Sequence, residues 1–199
     1  KITIHGSLIK KLRYGENPHQ EGYLYGSFDN NFNKIHGKEL SYNNYNDIYT
    51  TLEILNSFKK EKCVTIVKHA NPCGVSIGKN LIYLFKKAFK CDPVSAFGGV
   101  IGFNSIISKK VALEINKIFF EVIIAKGFSK DELKILKRKK NLKLIDYKNY
   151  NFNNTKHYQF YGNSFLSQDI NNKLIDKKKL KIVSKIKPSA NQMRNLKFA

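Results

Sequence analysis

Apolar positions along this chain recur at two spacings, and the switches between them lay out its elements. In "DIYTTLEILNSFKK" (47–60), Ile48, Leu52, Leu55 and Phe58 fall near helical spacing, which predicts a helix opened by Asn46 or Asp47. "NLIYLFKKAFK" (80–90) puts Leu81, Leu84, Phe85 and Phe89 on one face, a second helix. "SKKVALEINKIF" (108–119), capped by Ser108, predicts a third. "SKDELKILKRKK" (129–140) predicts a fourth, with an acidic first turn and basic end that suit the helix dipole. Between these lie short apolar runs read as strands: 62–68, 98–104 entered through paired glycines, 121–125 and 142–147. The aromatic "YLYGSF" (23–28) predicts one more. Such alternation predicts an α/β sheet covered by helices. The pattern fades into a polar insertion or loop over 148–160, then closes with a short strand, Pro188 and the start of an amphipathic helix.

One strand ends oddly. In "VTIVKHANPCGVSIG" (64–78) an apolar run passes straight into Lys68 and His69, followed by Asn71, Pro72 and Gly74. A strand end that merely exposes two polar groups is the ordinary reading. The functional one is that open α/β sheets bind ligands beyond the carboxyl ends of their strands, where this ammonium and imidazole would stand. An Asn-Pro-Cys-Gly turn after them would hold the backbone still and let it approach a ligand.

Two further stretches carry candidate chemistry. "DPVSAFGGV" (92–100) clusters Ser95, Ala96, Gly98 and Gly99 before a strand, an arrangement that can turn backbone N–H groups toward an anion or polar ring. It lacks the Gly-Lys-Ser/Thr of a phosphate-binding loop. "LRYGENPHQ" (12–20) sets Arg13 beside Tyr14, and the chain holds only two other arginines, Arg138 and Arg194. In a lysine-dominated sequence, a retained guanidinium suggests that its planar fork is used.

Charge and cysteines then narrow the classes. The 199 residues carry 36 Lys and Arg against 15 Asp and Glu, a net charge of +21. That would suggest nucleic acid, but base- and phosphate-reading surfaces favour Arg, and the richness in Lys, Asn, Ile and Phe fits an A/T-rich coding bias. Nucleic acid is therefore not the expected partner. Cys63, Cys73 and Cys91 form no Cys-x-x-Cys pair, which predicts a reduced, cytoplasmic protein with no metal. "HANPC" resembles a zinc deaminase motif only faintly. Asn71 stands where the acid/base Glu is needed, and Cys73 has no second cysteine at the required spacing. No membrane span and no signal peptide are expected. The lack of an initiator Met and the helix cut off at Ala199 lead us to expect a piece of a longer chain.

The strings "LRYGENPHQ", "GKELSYNN" (37–44), "VKHANPCGVSIG" and "DPVSAFGGVIGFN", with "EVIIA" behind them, resemble the AICAR transformylase domain of bifunctional purine biosynthesis enzymes. The resemblance runs along the chain and covers the first half of that domain. It implies a cytidine-deaminase-like subdomain over 1–147, including an N-terminal arm (1–45). Residues 148–199 would then hold a polar insertion and the start of a connection to a second subdomain. The implied reaction transfers a formyl group from 10-formyltetrahydrofolate to the 5-amino group of AICAR. The complete enzyme would be a homodimer that also carries an IMP cyclohydrolase domain. By the same resemblance His69 is the proton shuttle, Lys68 stabilises the oxyanion, Arg13 and Tyr14 contact the nucleotide, and Gly98 and Glu121 line the imidazole-carboxamide pocket. "YGNSFLSQD" (161–169) departs from the pattern, with Asn163 and Ser164 where many relatives carry two glycines after an Arg. A catalytically silent fragment and a basic RNA-binding module stand as the alternatives.

Overall fold

Strands that alternate their side chains between two apolar layers organise the first part of this computed structural model, which describes residues 2–148, 150, 156–171 and 179–198. The chain divides into two units, residues 1–152 and 153–199.

In the first unit, β1 (Leu8–Lys11) and β2 (Tyr23–Tyr25) form a small antiparallel ribbon. A single helical turn, α1 (Phe28–Asn31), leads into β3 (Asn33–His36) and then the long helix α2 (Tyr42–Ser57). There follow β4 (Lys62–Lys68), β5 (Asn71–Gly78), α3 (Leu81–Cys91), β6 (Val100–Phe103), α4 (Lys109–Ile115), β7 (Val122–Ala125), α5 (Lys130–Leu136) and β8 (Lys143–Asp146). The sheet order is β3-β8-β7-β6-β4-β5. The three strands β6, β7 and β8 run parallel; β3 on one side and β4 on the other run antiparallel to them, and β5, antiparallel to β4, points the same way as the trio. The result is a mixed α/β sheet flanked by helices.

Alternation along each strand decides which helices cover which face. Cys63, Val100, Val122, Ile124 and Ile145 point to the layer of α2, where Ile48, Leu52 and Leu55 bury fully against them. Val64, Ile66, Ile101, Phe103, Ile123 and Leu144 point to the opposite layer, with Leu84 and Phe85 of α3, Val111 and Ile115 of α4, and Leu136 of α5. Each such side chain contributes roughly 1.5–3 kcal/mol relative to exposure.

The expected helices and central strands are present, with corrections at their ends. α2 begins five residues before the expected start, because Ser41 caps it: its hydroxyl accepts from the Asn44 N–H at 3.2 Å, and its own N–H donates to Asn44 Oδ1. The strand expected over 23–28 stops at Tyr25, and Phe28 already belongs to α1. The expected Asn-Pro-Cys-Gly turn does not exist. Those residues open β5, an outermost strand where Pro72 withdraws no ladder donor that the sheet needs, at an irregularity opposite Ile66 and Val67. Gly74 serves packing instead. A β-carbon there would fall inside the van der Waals shell of the Ala88 carbonyl oxygen, so α3 can lie against β5 only at a glycine.

The second unit contains the hairpin β9 (Lys156–Tyr161) and β10 (Ser164–Asp169) and the helix α6 (Ala190–Phe198). Residues 156–160, expected as loop, are therefore strand. Gly162 (φ +53°) and Asn163 make its two-residue turn, which accounts for the departure of "YGNS" as a local turn choice. The strand expected before Pro188 is absent from 179–187, and the part of that expectation over 176–178 lies outside the described residues. No described helix is long and apolar enough to cross a membrane.

Two outcomes test this packing. Gly74→Ala should destabilise the first unit by about 1–3 kcal/mol, read as a lower thermal midpoint, because the helix backbone must retreat. Glu39 binds Lys10 of β1 and Lys34 of β3, both at 2.8 Å, and these hydrogen bonds lower its carboxyl from 4.5 to about 2. A depressed carboxyl adds stability that is full above its unfolded value and is lost as pH falls toward the folded one. The advantage of wild type over Glu39→Gln in denaturant melts should therefore be full at about pH 6, smaller at about pH 3 and gone only below about pH 2, and it should stay below about 1 kcal/mol throughout because Glu39 is largely exposed.

Candidate active site at one edge of the sheet

β4 is antiparallel to the parallel trio, and that orientation sets where the candidate residues fall. Lys68 ends β4 at the edge where β6, β7 and β8 begin: Val67 pairs Val100, Val100 pairs Val122, and Val122 pairs Lys143. Lys68 thus stands at the carboxyl end of β4, and β3 ends at the same edge. For the parallel strands, this is the amino-terminal edge. Lys68, His69, Gly98 and Glu121 all stand along it, and the Glu121 N–H donates to the Gly99 carbonyl at 3.0 Å.

His69 and Ala70 form the two-residue turn between β4 and β5, with φ of 53° and 56°. His69 is exposed at the tip, and Lys68 is half-buried. The Lys68 ammonium donates to the Phe97 carbonyl at 2.7 Å, which aligns it along the edge and leaves further donors unspent.

The glycine segment behaves differently from expectation. Its N–H groups are consumed internally: Ser95 donates to Asp92 Oδ1, Ala96 to the Asp92 carbonyl, Phe97 to Val94, Gly98 to Phe119 and Gly99 to Ala96. It is no anion cradle. It is a folded knot whose outward carbonyl holds Lys68. Gly98 takes φ +75°, which glycine tolerates, and a β-carbon there would only touch the Phe119 ring, at 3.4 Å. Phe97 and Phe119 lie beside it as exposed rings, tilted by 46° with centroids 5.1 Å apart.

Glu121 is the edge's carboxylate. Its Oε2 accepts from the Asn44 amide at 3.0 Å and pairs with the Lys143 ammonium at 3.3 Å. Lys143 is nearly buried and Asn44 fully so, which steers the carboxylate while leaving it partly open to solvent.

The start of α2 ties the remaining segments to this edge. Asn43 donates to the Glu16 carbonyl at 3.2 Å, holding the "LRYGENPHQ" arm; Asn44 holds Glu121; buried Asp47 accepts from the Ala70 N–H at 2.7 Å. Desolvation, the largest influence, raises the Asp47 carboxyl, while the Ala70 and His69 backbone N–H groups oppose it. Arg13 is exposed, its guanidinium 5.7 Å from the Tyr14 ring centre. Among the described residues it makes no hydrogen bond or ion pair, so its fork stays open, and no contact joins it to Lys68 or His69. Next to this arm, Leu12, Tyr23, Leu24, Tyr42, Tyr45 and Asn46 line a cavity of about 190 Å³.

Reading the sequence overlooked Asn43, Asn44, Asp47 and Lys143. The "SYNN" string held the signal, since Ser-x-x-Asn can form a reciprocal cap that puts asparagines in a helix's first turn. Among the described residues, no three His, Cys, Asp or Glu side chains are grouped to hold a metal ion.

Comparison with known proteins places the chain in a family. The family model described as AICARFT/IMPCHase bienzyme matches residues 1–199. The bifunctional purine biosynthesis protein PurH of Acetivibrio thermocellus is 40% identical over 96% of this chain and 39% of its own length. That of Clostridium botulinum is 42% identical over 99% of this chain and 40% of its own, and that of Fusobacterium nucleatum 41% over 100% and 40%. The chain spans about two fifths of the length of these relatives. Matched end to end by the family model, the chain belongs to the AICARFT/IMPCHase bienzyme family.

Proposed function

We propose that this chain contributes the amine-activating part of a formyltransferase site in de novo purine biosynthesis. A formyl group passes there from 10-formyltetrahydrofolate to the 5-amino group of AICAR. What carries the reading is the shared edge: an aligned ammonium, an exposed imidazole and a steered carboxylate stand together where three parallel strands begin.

The chemistry needs such groups. The AICAR amine is a weak nucleophile, because its lone pair is delocalised toward the carboxamide. As its nitrogen attacks the formyl carbon, the carbonyl oxygen gains negative charge, which the Lys68 ammonium stabilises. His69 takes the proton shed by the nitrogen and returns it to N10 of the departing tetrahydrofolate as the old carbon–nitrogen bond breaks. Glu121 accepts hydrogen bonds from the carboxamide beside Gly98. Arg13, with no competing hydrogen bond or ion pair among the described residues, holds the nucleotide with Tyr14.

Family membership supports the finer readings as well. The sheet and its helices are read as a cytidine-deaminase-like subdomain without the deaminase metal, followed by the lead into a second subdomain from residue 148. The intact protein is read as a cytoplasmic homodimer with an IMP cyclohydrolase activity.

In the intact protein, His69→Ala and Lys68→Ala should each lower kcat by about 10²–10³-fold with an unchanged thermal midpoint. Near-wild-type turnover in either variant removes that residue from the mechanism. Arg13→Lys should raise KM for AICAR and spare kcat, since a point charge replaces a two-pronged grip.

A further inference from the structure

The turn that presents His69 is made of residues that resist its geometry. A two-residue connection with both φ values positive is ordinarily filled by Asn-Gly, Asp-Gly or Gly-Gly. Here it is His-Ala, at 53° and 56°, and these are the only non-glycine residues with positive φ among those described. The chain's other two-residue hairpin turn uses Gly162 and Asn163, with the positive φ on the glycine. Two left-handed residues with β-carbons persist only where their surroundings impose that shape.

Asp47 supplies the imposition. Its carboxylate is 6% exposed and sits in the second turn of α2, a rigid base whose first turn is capped by Ser41 and bonded to Glu121. From there Oδ1 accepts the Ala70 N–H at 2.7 Å. An ionised carboxylate accepts more strongly than a neutral group, and the amide it engages lies within the turn itself. Because the helix fixes the carboxylate, the bond sets where the turn stands as well as its shape.

We infer that Asp47 is a positioning residue: its buried carboxylate locks the left-handed His69–Ala70 turn and so aims the imidazole along the edge shared with Lys68 and Glu121. This rests on the formyl-transfer reading for its catalytic consequence but not for the lock itself. Asp47 need touch neither substrate. A histidine at the tip of an unsupported hairpin would sample several orientations, and a misplacement of about 1 Å can cost about 100-fold in rate.

The test combines steady-state kinetics of the intact protein with amide hydrogen exchange. Asp47→Ala should lower kcat by about 100-fold and leave KM for AICAR within a few-fold. Asp47→Asn, whose amide oxygen still accepts, should retain more activity than Asp47→Ala. Adding Ala70→Gly to Asp47→Ala should recover at least about tenfold, because glycine takes a positive φ unaided. A purely structural Asp47 would gain nothing from that glycine. Wild-type turnover in Asp47→Ala, Asp47→Asn no better than Asp47→Ala, or a double variant no better than the single one overturns the assignment. Should Asp47→Ala fail to fold, the wild-type protein decides: the Ala70 N–H should exchange far more slowly than an exposed turn amide, and exchange at the free-peptide rate overturns the lock. If the wild-type protein fails to formylate AICAR, the functional reading falls, while the exchange measurement still judges the lock.

Discussion

Asn44 is the joint on which the arrangement turns. One end of its amide closes the cap at the start of α2, and the other grips Glu121 at the beginning of β7. Asn44 itself is buried, so releasing either end leaves one of its amide atoms unpaired, a loss typically of about 1–3 kcal/mol. A helix start and a strand start, 77 residues apart in sequence, are thereby fixed to each other. Asn43 and Asp47 extend the same hold to the N-terminal arm and to the β4–β5 turn. Three separate segments, the N-terminal arm, the β4–β5 turn and the start of β7, are held by a single helix terminus.

Much of this was legible in the order of residues, for physical reasons. Helices α3, α4 and α5 advertise themselves through apolar spacing and through Asn80, Ser108 and Ser129 at their starts. Strands β6 and β7 are buried on both faces and read as continuous apolar runs. β5 was hidden because Asn71, Pro72 and Gly74 carry the signature of a turn, yet a strand at the sheet's margin accepts proline and a close-packed helix requires glycine. The start of α2 was hidden because its first turn is polar, and amphipathic spacing begins only at Ile48.

The site was half legible. Lys68 and His69 stood out as polar residues after an apolar run, and they do close β4 and open the turn that follows it. The edge to which they belong could not be read, because strand direction within a sheet is a long-range property that no local pattern encodes. The glycine-rich segment shows the opposite error. Small residues permit a ring of outward N–H groups but do not demand one, and here every such donor from Ser95 to Gly99 turns inward. Hydrogen-bond accounting, rather than composition, tells a cradle from a brace.

The proline in β5 carries a consequence of its own. An outermost strand offers its spare backbone groups to any passing chain, and such margins seed sheet-to-sheet association. Pro72 deletes a donor near the beginning of that margin, beside the turn that holds His69, and the irregularity opposite Ile66 and Val67 bends the strand there. A foreign strand therefore finds no continuous ladder to extend at this corner of the molecule. The proline that looks like a structural interruption thus leaves this corner of the sheet without an unbroken row of donors.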